Sequence, residues 1–410
     1  MYFLRSLYHY FLAWLGSQIY NQPSKKIFVI GVTGTKGKST VIELLNAILE
    51  AAGKKTAISS SVRFKINGSS KSNLTGMSMP GRFFLQKFLF EASNVGCQYA
   101  IVEVTSQGIL QHRHNSIDFD AVFLTNLEPE HIEAHGSYEN YRSSKVKLFY
   151  DVAHNSLKQP KYFFINSDAR DHSYFSEAVK GLGNIIFYNK KDIAALRIKT
   201  KLIGEFNREN IAAAIAFARS RGIDWDIIRD AIERFDGVPG RLEFVQRIPF
   251  AVIVDYAHTP DSLEKVYQTV RREVLKVKSP KSKVNGRMIC VLGSAGGGRD
   301  VWKRPVMGEI AARYCDQIIL TNEDPFDEDP IEIIDEIEAG IMNDNKKKVK
   351  KIVDRKEAIR AAIKMAKKSD AIIMTGKGCE SYIRVVGEKQ IPWNEKEVAL
   401  KILNHETIEI

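Results

Sequence analysis

The length, composition and charge of the chain set the first limits on its function. With 410 residues, 44% hydrophobic and 27% charged, it has the composition of a globular protein and is long enough for two or three domains. The net charge of +11 suggests an acidic partner, but the lysine-rich runs at 276–287 and 346–351 are not interleaved with aromatic residues. We therefore expect no nucleic-acid partner, which leaves nucleotides, anionic sugar phosphates and membrane surfaces.

The four cysteines, Cys97, Cys290, Cys315 and Cys379, form no Cys-x-x-Cys pair. Three of them lie in or beside apolar runs that are typical of strands or helices, which predicts buried thiols in a reducing compartment. No cysteine cluster with metal-ligand spacing is present in the sequence. We therefore expect a cytoplasmic protein.

The first twenty residues are strongly aromatic, and Arg5 is their only fixed charge. They lack a signal-peptide cleavage pattern, and Arg5, Ser6 and His9 interrupt the apolar run, so a membrane-spanning helix is not expected. Two interpretations are open for this segment. One, which we favour, is a helix packed on the first domain; the other is an interfacial anchor that contacts the inner face of a membrane through residues 1–20.

A glycine-rich stretch, Gly31-Val-Thr-Gly-Thr-Lys-Gly-Lys-Ser-Thr40, follows the apolar run 27–30 and precedes a helical pattern with apolar residues on one face. Strand, glycine-rich turn and helix are the context of a phosphate-binding loop, whose N–H groups and helix N-terminus bind phosphate oxygens. Lys38 is expected to bridge the β- and γ-phosphates, and Ser39 to ligate Mg²⁺. The usual first glycine is Val32 here, so a turn that binds nothing is the alternative to an ATP or GTP site.

Strands and helices are predicted to alternate along the chain. The apolar patterns predict strands at 55–61, 98–104, 119–126, 162–166 and 185–188, followed by helices at 210–221 and 225–235. After a turn-rich break at 236–241 the predicted strands are 251–255, 288–293, 317–321 and 371–375, and the predicted helices are 261–275, 304–314, 331–342 and 355–367.

This alternation indicates an α/β protein with mostly parallel sheets covered by helices. We divide the chain into an aromatic helical segment (1–26), a P-loop mononucleotide-binding domain (27–240) and a Rossmann-like α/β C-terminal domain (241–410). Ligands of such sheets collect at the carboxyl ends of the strands. The loops that follow the strands are therefore the places to look for function.

Two loops of the first domain contain candidate metal ligands. Glu103 closes an otherwise apolar strand, at the place where P-loop proteins hold a carboxylate for Mg²⁺. His131 and His135 follow the next strand, and on a helix their spacing places them on one face. No zinc-type spacing is present, so the carboxylate-rich surroundings favour Mg²⁺. An exposed strand-end glutamate and structural histidines are the alternatives.

Four polar loops follow predicted strands of the second domain, at 255–261, 293–300, 323–330 and 376–380. Because the carboxyl ends of parallel strands meet at one edge of a sheet, these loops predict a binding surface there that faces the nucleotide. A lone glycine-rich loop such as 293–300 is weak evidence by itself. The prediction depends on all four loops occurring together.

Taken together, these motifs resemble those of the Mur ligase family, and within it the MurE-like tripeptide synthetases. The resemblance extends from about residue 27 to residue 403. Its motifs occur in the order of the family: GTKGKST at 34–40, EVTSQG at 103–108, QHR at 111–113, TNL at 125–127, EH at 130–131, HG at 135–136, Lys145, GEFN at 204–207, Asn210, PGR at 239–241, DYAHTPD at 255–261, RD at 299–300, KRP at 303–305 and GKG at 376–378.

The resemblance implies an ATP-dependent, ADP-forming amide ligase of peptidoglycan precursor synthesis. Such an enzyme joins an amino acid to a muramoyl-peptide carboxylate through an acyl phosphate. The implied catalytic residues are Lys38, Glu103, His131 and Lys145, with Lys145 carbamylated and with Ser39, Glu103 and His131 holding Mg²⁺. We expect the protein to be a monomer.

The resemblance also implies the residues that bind the substrates. For ATP, which is held across the domain boundary, these are Gly34, Thr35, Lys36, Gly37, Lys38, Ser39, Thr40, Asn207, Asn210, Arg241, Asp255 and His258. For the muramoyl-peptide acceptor they are Asn73, Thr75, Thr105, Gln111 and Arg113. For the amino acid they are Arg299, Glu323, Asp324, Phe326, Gly376 and Glu380.

The chain departs from the family pattern at both substrate sites. Only residues 1–26 precede the first strand, too few for the N-terminal domain that binds the uridine diphosphate end of the acceptor in full-length relatives. Members that use diaminopimelate carry Asp-Asn-Pro-Arg where this chain reads Glu323-Asp-Pro-Phe326, so the loop has no cation for the distal carboxylate. Cys379 and Gln107 replace two further histidines, and Lys36 replaces an asparagine. The acceptor and the amino acid are therefore open.

Two alternative functions are also open. A related ligase of the folylpolyglutamate-synthase or γ-glutamyl type, with a different and membrane-linked acceptor, would use the same ATP chemistry, although residues 111–113 match the muramoyl side. An NTPase switch without ligation would explain the phosphate-binding loop. It would leave Lys145 and the polar loops of the second domain without a purpose.

Overall fold

The chain folds as two units, each with its own sheet. The computed structural model describes residues 2–130, 132–194, 196, 198–276, 286–298, 300–387 and 389–406. The first unit comprises Met1–Lys201 and Glu205–Asp236, and the second comprises Leu202–Gly204 and Gly237–Ile410. Both units are α/β with mostly parallel sheets, which confirms the predicted fold class.

Within the described residues, the first unit contains a sheet of eight strands. They are β1 (Phe28–Thr33), β2 (Thr56–Ser59), β3 (Arg63–Ile66), β4 (Ser69–Ser72), β5 (Tyr99–Glu103), β6 (Ala121–Leu124), β7 (Tyr162–Asn166) and β8 (Asn184–Tyr188). Their order is β4-β3-β2-β5-β1-β6-β7-β8. In this spatial order, the strands from β2 through β5, β1, β6 and β7 to β8 are parallel to their neighbours. Strands β3 and β4 lie at the edge beside β2, and each pairs in antiparallel fashion.

The helices of the first unit follow its strands in the expected alternation. They are α1 (Tyr2–Ile19), α2 (Lys38–Ala51), α3 (Arg82–Asn94), α4 (Ser106–Leu110), α5 (Ile132–His135), α6 (Tyr138–Asn155), α7 (His172–Ala178), α8 (Lys191–Ala194), α9 (Glu205–Ser220) and α10 (Trp225–Arg234), with a 3₁₀ turn at Pro23–Lys26. Every residue of β5 is buried, as expected for a parallel strand covered on both faces.

The register of the central strands brings three loops to one edge of this sheet. Val32, near the end of β1, pairs with Glu103 of β5 on one side and with Phe123 of β6 on the other. The Thr125 N–H then donates to the Thr33 carbonyl at 3.0 Å. The glycine-rich loop after β1 therefore lies between the loops that follow β5 and β6.

The second unit is built in the same way. Its strands are β9 (Glu243–Gln246), β10 (Ala251–Val254), β11 (Met288–Leu292), β12 (Gln317–Leu320), β13 (Val349–Lys351), β14 (Ala371–Met374), β15 (Tyr382–Val385) and β16 (Lys389–Pro392). Its helices are α11 (Pro260–Thr269), α12 (Lys303–Tyr314), α13 (Pro330–Ala339), α14 (Asn343–Lys346), α15 (Arg355–Met365) and α16 (Glu395–Glu406), with a π turn at Val270–Val274 after α11. The main sheet has the order β13-β12-β11-β14-β10-β9, and only β9 is antiparallel to its neighbour; β15 and β16 form a separate hairpin.

The N-terminal helix α1 packs against α3 through one face. Ala13 and Ser17 are buried on that face, and a Cβ added to Gly16 would lie 3.5 Å from the Gln86 side chain. The structure therefore contains the packed helix that we favoured from the sequence. In the part of the chain that is described, no helix is both long and apolar enough to cross a membrane.

The prediction of buried thiols, made for three of the cysteines, is wrong for two of them. Cys290 of β11 and Cys315 at the end of α12 form a disulfide bond. Their Cα atoms are 6.1 Å apart because the strand and the end of the helix lie side by side, although 25 positions separate them in the sequence. Cys97 and Cys379 are free. Cysteine usage therefore no longer supports a reducing compartment.

Candidate functional site

The glycine-rich loop between β1 and α2 forms a backbone cradle. Gly34 and Gly37 have φ angles of 144° and 80°, which residues with side chains rarely adopt. A Cβ on Gly34 would collide with the Thr125 hydroxyl, and one on Gly37 would collide with the Asn210 amide. The loop therefore fits a phosphate group, which needs a close backbone approach at the start of a helix.

Two lysine side chains meet at the carbonyl of Gly34. Lys38 Nζ donates to this oxygen at 3.1 Å and to the Thr35 carbonyl at 2.9 Å, and Lys145 Nζ donates to the Gly34 carbonyl at 2.9 Å. Lys145 is only 2% exposed. Burial, together with the charge of Lys38, lowers the pKa of Lys145 well below its ordinary value. This shift favours the neutral amine, which is the form that reacts with CO₂.

Glu103 and Ser39 place oxygen atoms beside this lysine pair. Glu103 Oε1 lies 4.0 Å from Lys38 Nζ, and its Oε2 accepts the Ser61 N–H at 2.7 Å. The hydroxyls of Ser39 and Ser61 are 3.0 Å apart. Among the described residues, no group of three or more His, Cys, Asp or Glu side chains could hold a metal ion. The hydroxyl and carboxylate fit Mg²⁺, which completes its shell with water and phosphate oxygens.

Two polar contacts brace the middle of the loop. Thr35 Oγ1 lies 2.9 Å from Tyr141 Oη, and Lys36 Nζ forms an ion pair with Glu130 at 2.5 Å. Burial is the main reason that the pKa of Tyr141 is raised far above its ordinary value. His131, which we predicted as a magnesium ligand, lies outside the described residues. Its place in the site therefore stays a prediction.

Helix α9 brings two predicted ATP-binding asparagines to the same loop. Asn210 Nδ2 donates to Asn207 Oδ1 at 3.0 Å, and both side chains are buried. Asn210 lies directly against Gly37. Thr40 is buried in the first turn of α2. The structure thus places the described ATP-binding candidates of the first unit around one loop.

Three of the predicted acceptor-binding residues contact Met77, and Gln111 joins them through Arg113. The Thr75 hydroxyl donates to Asn73 Oδ1 at 2.6 Å, and Asn73 Nδ2 donates to the Met77 carbonyl at 2.9 Å. Gln111 Oε1 accepts from Arg113 Nε and Nη2 at 3.0 and 2.7 Å. Arg113 Nη1 also lies 3.6 Å from the Met77 sulfur. These four polar residues therefore form one patch.

The fifth acceptor candidate, Thr105, has a structural partner. Its hydroxyl accepts a backbone N–H at 3.1 Å and caps the short helix α4. The next residue, Ser106, lies 3.1 Å from Nε2 of the buried His135. This contact links the loop after β5 to α5, so two of the polar loops that follow strands are joined.

In the second unit, the predicted nucleotide-binding residues cluster after β10. Asp255 accepts two backbone N–H bonds at 2.7 Å. The Arg241 guanidinium lies 4.2 Å from the centroid of the Tyr256 ring, and His258 Nδ1 is 2.8 Å from the Tyr256 carbonyl. Tyr256 is therefore the centre of this group, although our motif comparison did not single it out.

The loops after β12 and β14 share a network of buried charges. The fully buried Lys377 Nζ donates to Asp324 Oδ1 at 2.8 Å and to Glu380 Oε2 at 2.6 Å. Glu323 is 5% exposed, and its carboxylate lies against Gly376. Burial raises the pKa of Glu323 to about 7, against the opposing effect of nearby cations. Four residues that we predicted for amino-acid binding therefore lie in one network.

Arg384 of β15 lies over Phe326, the residue that replaces the loop cation of the family. Its guanidinium carbon is 5.6 Å from the centroid of the Phe326 ring and 5.2 Å from that of Tyr382. Arg384 Nη1 is 4.0 Å from Asp324 Oδ2. A cation therefore stands beside the amino-acid loop, but it comes from a neighbouring strand. Arg299, another predicted residue of this site, lies outside the described residues.

Two family models match the chain in succession. The Mur ligase middle domain matches residues 32–218, and the glutamate ligase domain of Mur ligases matches residues 240–378. The UDP-N-acetylmuramoyl-L-alanyl-D-glutamate--2,6-diaminopimelate ligase of Syntrophomonas wolfei is 37% identical over 416 residues, which cover 96% of this chain and 81% of that protein. The chain belongs to the Mur ligase family.

Further Mur ligases resemble the chain to a similar degree. The UDP-N-acetylmuramyl-tripeptide synthetase of Roseiflexus sp. is 35% identical over 96% of this chain and 81% of that protein. A solved UDP-N-acetylmuramoyl-L-alanyl-D-glutamate--2,6-diaminopimelate ligase is 26% identical, with a TM-score of 0.60 over 93% of this chain and 79% of that one. Folylpolyglutamate synthase of Mycobacterium tuberculosis has a TM-score of 0.69 over 88% of this chain and 91% of that one, but at 16% identity it shows the fold alone.

Membership of the Mur ligase family establishes the class of chemistry. Mur ligases are ADP-forming acid–amino-acid ligases that depend on ATP and generally require Mg²⁺. The phosphate cradle and the oxygen donors of the first unit agree with that requirement.

A buried ion pair that no Mur ligase motif indicated supports the amino-acid network. Arg355 and Glu395 are 3% and 1% exposed, and their side chains meet at 2.6 Å. Arg355 also donates to the carbonyls of Asn322 and Thr375 at 3.1 and 2.7 Å. It therefore joins the segments after β12 and β14, which hold the network.

Sequence reasoning missed three charged residues of these sites for different reasons. Lys377 lies between two motif glycines, so its position was a usable signal. Arg384 and Arg355 lie outside every motif that we matched, and their contacts depend on strand packing. No local pattern could have indicated them.

Proposed function

We propose that the chain is an ATP-dependent ligase that joins an amino acid to a muramoyl-peptide carboxylate in peptidoglycan precursor synthesis. The observation that carries this proposal is the meeting of Lys38 and Lys145 at the Gly34 carbonyl. A phosphate-binding loop with one lysine would suit any nucleotide hydrolase. A second, fully buried lysine at the same carbonyl supports a site that does more than bind and hydrolyse a nucleotide. The names of the relatives at 35–37% identity support the substrate class.

The proposed reaction first activates a carboxylate, because a carboxylate is a poor electrophile. The γ-phosphoryl group moves from ATP to a carboxylate oxygen, which forms an acyl phosphate and releases ADP. The amine of the amino acid then attacks the acyl carbon. The C–O bond to phosphate breaks, phosphate leaves with the electron pair, and the nitrogen loses a proton to leave an amide. The protein contributes positioning and charge neutralisation.

We assign roles in this reaction to the residues of the first unit. Lys38 and the loop N–H groups hold the phosphates of ATP. Ser39, Glu103 and His131 are the proposed magnesium ligands, and the ion, when bound, neutralises charge on the phosphates. Lys145 is proposed to carry a carbamate, which places an anionic oxygen beside this cluster in place of the neutral amine.

We also propose roles for the larger segments of the chain. Residues 27–240 form the ATP-binding domain, and 241–410 form the domain that supplies Arg241, Asp255 and His258 to the nucleotide and the Lys377 network to the amino acid. Residues 1–26 form a helical segment whose first twenty residues contact the inner face of a membrane. The protein acts as a monomer.

Phosphate release from ATP and Mg²⁺ tests the proposed function. The assay supplies a muramoyl-dipeptide acceptor, in UDP-linked and in lipid-linked form, and a panel of amino acids. We expect release that requires both an acceptor and an amino acid, together with a product that contains a new amide. ATP hydrolysis that is independent of every amino acid would contradict a ligase and support an NTPase switch.

We further propose that the amino acid carries a distal carboxylate, which Arg384 binds in place of the loop arginine of the family. Replacing Arg384 with alanine is then expected to raise KM for diaminopimelate by about 10- to 100-fold, the value of a charge-assisted hydrogen bond. KM for an amino acid without the second carboxylate should change little. Steady-state kinetics with both amino acids measure the difference.

A matched control for Arg384 exists in the same unit. Arg247 also lies over a phenylalanine ring, 3.6 Å from the centroid of Phe244, but it is exposed beyond the end of β9. Arg247→Ala should leave both KM values unchanged. An equal loss of activity with both amino acids in Arg384→Ala would show that the arginine only supports the fold of the loop.

A further inference from the structure

The outward face of α1 is apolar, although the helix already buries its other face. The exposed positions include Leu7, Tyr8, Tyr10, Phe11 and Trp14, each between 47% and 58% exposed. A helix packed on one face normally presents polar side chains on the other. These five side chains, all from α1, instead line an open and shallow groove on the outer side of the helix.

The guanidinium groups of Arg82 and Arg113 lie next to this face. Arg82 donates to the Gln111 carbonyl, and Arg113 donates to the Gln111 side chain and to the Met79 carbonyl. Within the described residues, no acidic side chain forms an ion pair with Arg82 or Arg113, and Arg82 Nε is buried without a hydrogen-bond acceptor. Burial lowers the pKa of both arginines, and the charge of Arg113 lowers that of Arg82 further. An anion bound between them would offset the desolvation of the two guanidiniums and the repulsion between their charges.

The aromatic face and the guanidinium pair are continuous. The ring of Tyr10 packs edge-on against the ring of His112, with the centroids 6.3 Å apart. Tyr8 is close enough to Arg82 to affect its pKa. His112 follows Gln111, which holds both arginines. An extended ligand could therefore place its anionic group on the arginines and its apolar part along α1.

We propose that α1 and the Arg82–Arg113 pair form one subsite for an acceptor joined through a diphosphate to a long hydrocarbon chain. The diphosphate binds the two guanidiniums, whose forked geometry matches phosphate oxygens. The hydrocarbon lies along the groove, where Tyr and Trp rings suit a surface that is apolar on one side and wet on the other. This inference rests on the proposed function. Gln111 and Arg113 belong to both this surface and the predicted acceptor site, which favours an acceptor over a bulk phospholipid.

Equilibrium binding of a polyprenyl diphosphate in detergent micelles tests the subsite independently of turnover. Neutral polyprenol, inorganic diphosphate and phosphatidylglycerol serve as matched ligands. We expect the full-length protein to bind polyprenyl diphosphate at least about tenfold more tightly than any of the three, because only that ligand satisfies both parts of the surface. Equal binding of phosphatidylglycerol would overturn the inference in favour of a general lipid headgroup.

Two variants separate the two parts of the subsite. Arg82→Ala should lose about tenfold in affinity for the diphosphates and retain polyprenol binding. The triple variant Tyr10→Ser, Phe11→Ser, Trp14→Ser should lose the contribution of the chain and retain the binding of inorganic diphosphate, which also shows that it is folded. Ile248→Ser, at an exposed apolar position of the second unit, is the control that should change neither.

Four further results would contradict either this inference or the proposed function. Unchanged affinity in Arg82→Ala would contradict the diphosphate subsite. Self-association of the wild-type protein that disappears in the triple variant would assign the apolar face to a second copy of the chain and overturn the inference. Turnover of a UDP-linked acceptor with no effect of any variant would overturn it while the proposed ligase activity stands. Absence of amino-acid-dependent turnover with every acceptor, alongside the expected binding pattern, would instead contradict the proposed function.

Discussion

Lys145→Ala is expected to lower the rate of amino-acid-dependent phosphate release by about 10³-fold, comparable to the loss of a group that stabilises a transition state in a buried site. The side chain has almost no exposed surface and shares the Gly34 carbonyl with Lys38. Because the proposed carbamate supplies an anionic oxygen, acetate or formate added to Lys145→Ala should restore part of the rate. Methylammonium, which mimics the unmodified lysine, should not.

Lys161→Ala is the matched control for this substitution. Lys161 is also a buried lysine of the first unit that donates to a backbone carbonyl, that of Ala153 at 2.6 Å, and burial lowers its pKa as well. Its loss should leave the turnover rate of the folded protein unchanged and should show no rescue by carboxylates. Rescue of Lys145→Ala by methylammonium, or an absence of ¹³C signal from labelled bicarbonate in the wild-type protein, would contradict carbamylation.

Arg355→Met is expected to reduce the free energy of unfolding of the second unit by about 3–5 kcal/mol, the cost of leaving one partner of a buried ion pair without the other. Glu395 would be left 1% exposed and charged, and the carbonyls of Asn322 and Thr375 would each lose a donor. Urea denaturation followed by tryptophan fluorescence measures this effect. Trp393 is a local probe because its Nε1 donates to Glu395 Oε2 at 2.6 Å.

The double variant Arg355→Met, Glu395→Leu distinguishes the loss of one partner of the ion pair from the loss of both. Replacing both charges with apolar groups removes the buried, uncompensated carboxylate, so most of the lost stability should return, apart from the hydrogen bond of Trp393. As an exposed control, Lys351→Met breaks two surface pairs, with Asp335 at 2.7 Å and with Glu338 at 2.5 Å, and should cost less than about 1 kcal/mol. A double variant no more stable than Arg355→Met would show that the arginine acts mainly through its carbonyl contacts.

The first-unit site was largely predictable because its residues lie at the ends of strands with visible apolar patterns. β1 and β5 were recognisable as buried runs, so Glu103 and the loop from Gly34 to Thr40 could be placed at one edge of a parallel sheet. The edge strand β4 has the sequence Ser-Ser-Lys-Ser and is exposed throughout, so it carries no apolar pattern and was missed. Its position depends on pairing with β3, which a local pattern cannot show.

Long-range contacts account for the features that the sequence did not indicate. The disulfide between Cys290 and Cys315 forms because a strand and the end of a helix pack side by side, not because of any spacing rule. Arg384 of β15 lies over Phe326, so a cation from another strand stands beside a loop that carries none of its own. Only the fold shows that this cation is near the loop.

By itself, the sequence determined the α/β class, the phosphate-binding loop and the family, because strand and helix periodicity, glycine placement and motif order are local properties of the chain. Only the tertiary structure decided which charges face one another. It buried Lys145 against Gly34, held Arg82 beside Arg113 next to the aromatic face of α1, and built the Lys377 network. Burial and proximity set the pKa values and binding chemistry of such groups, and both arise when distant segments pack together.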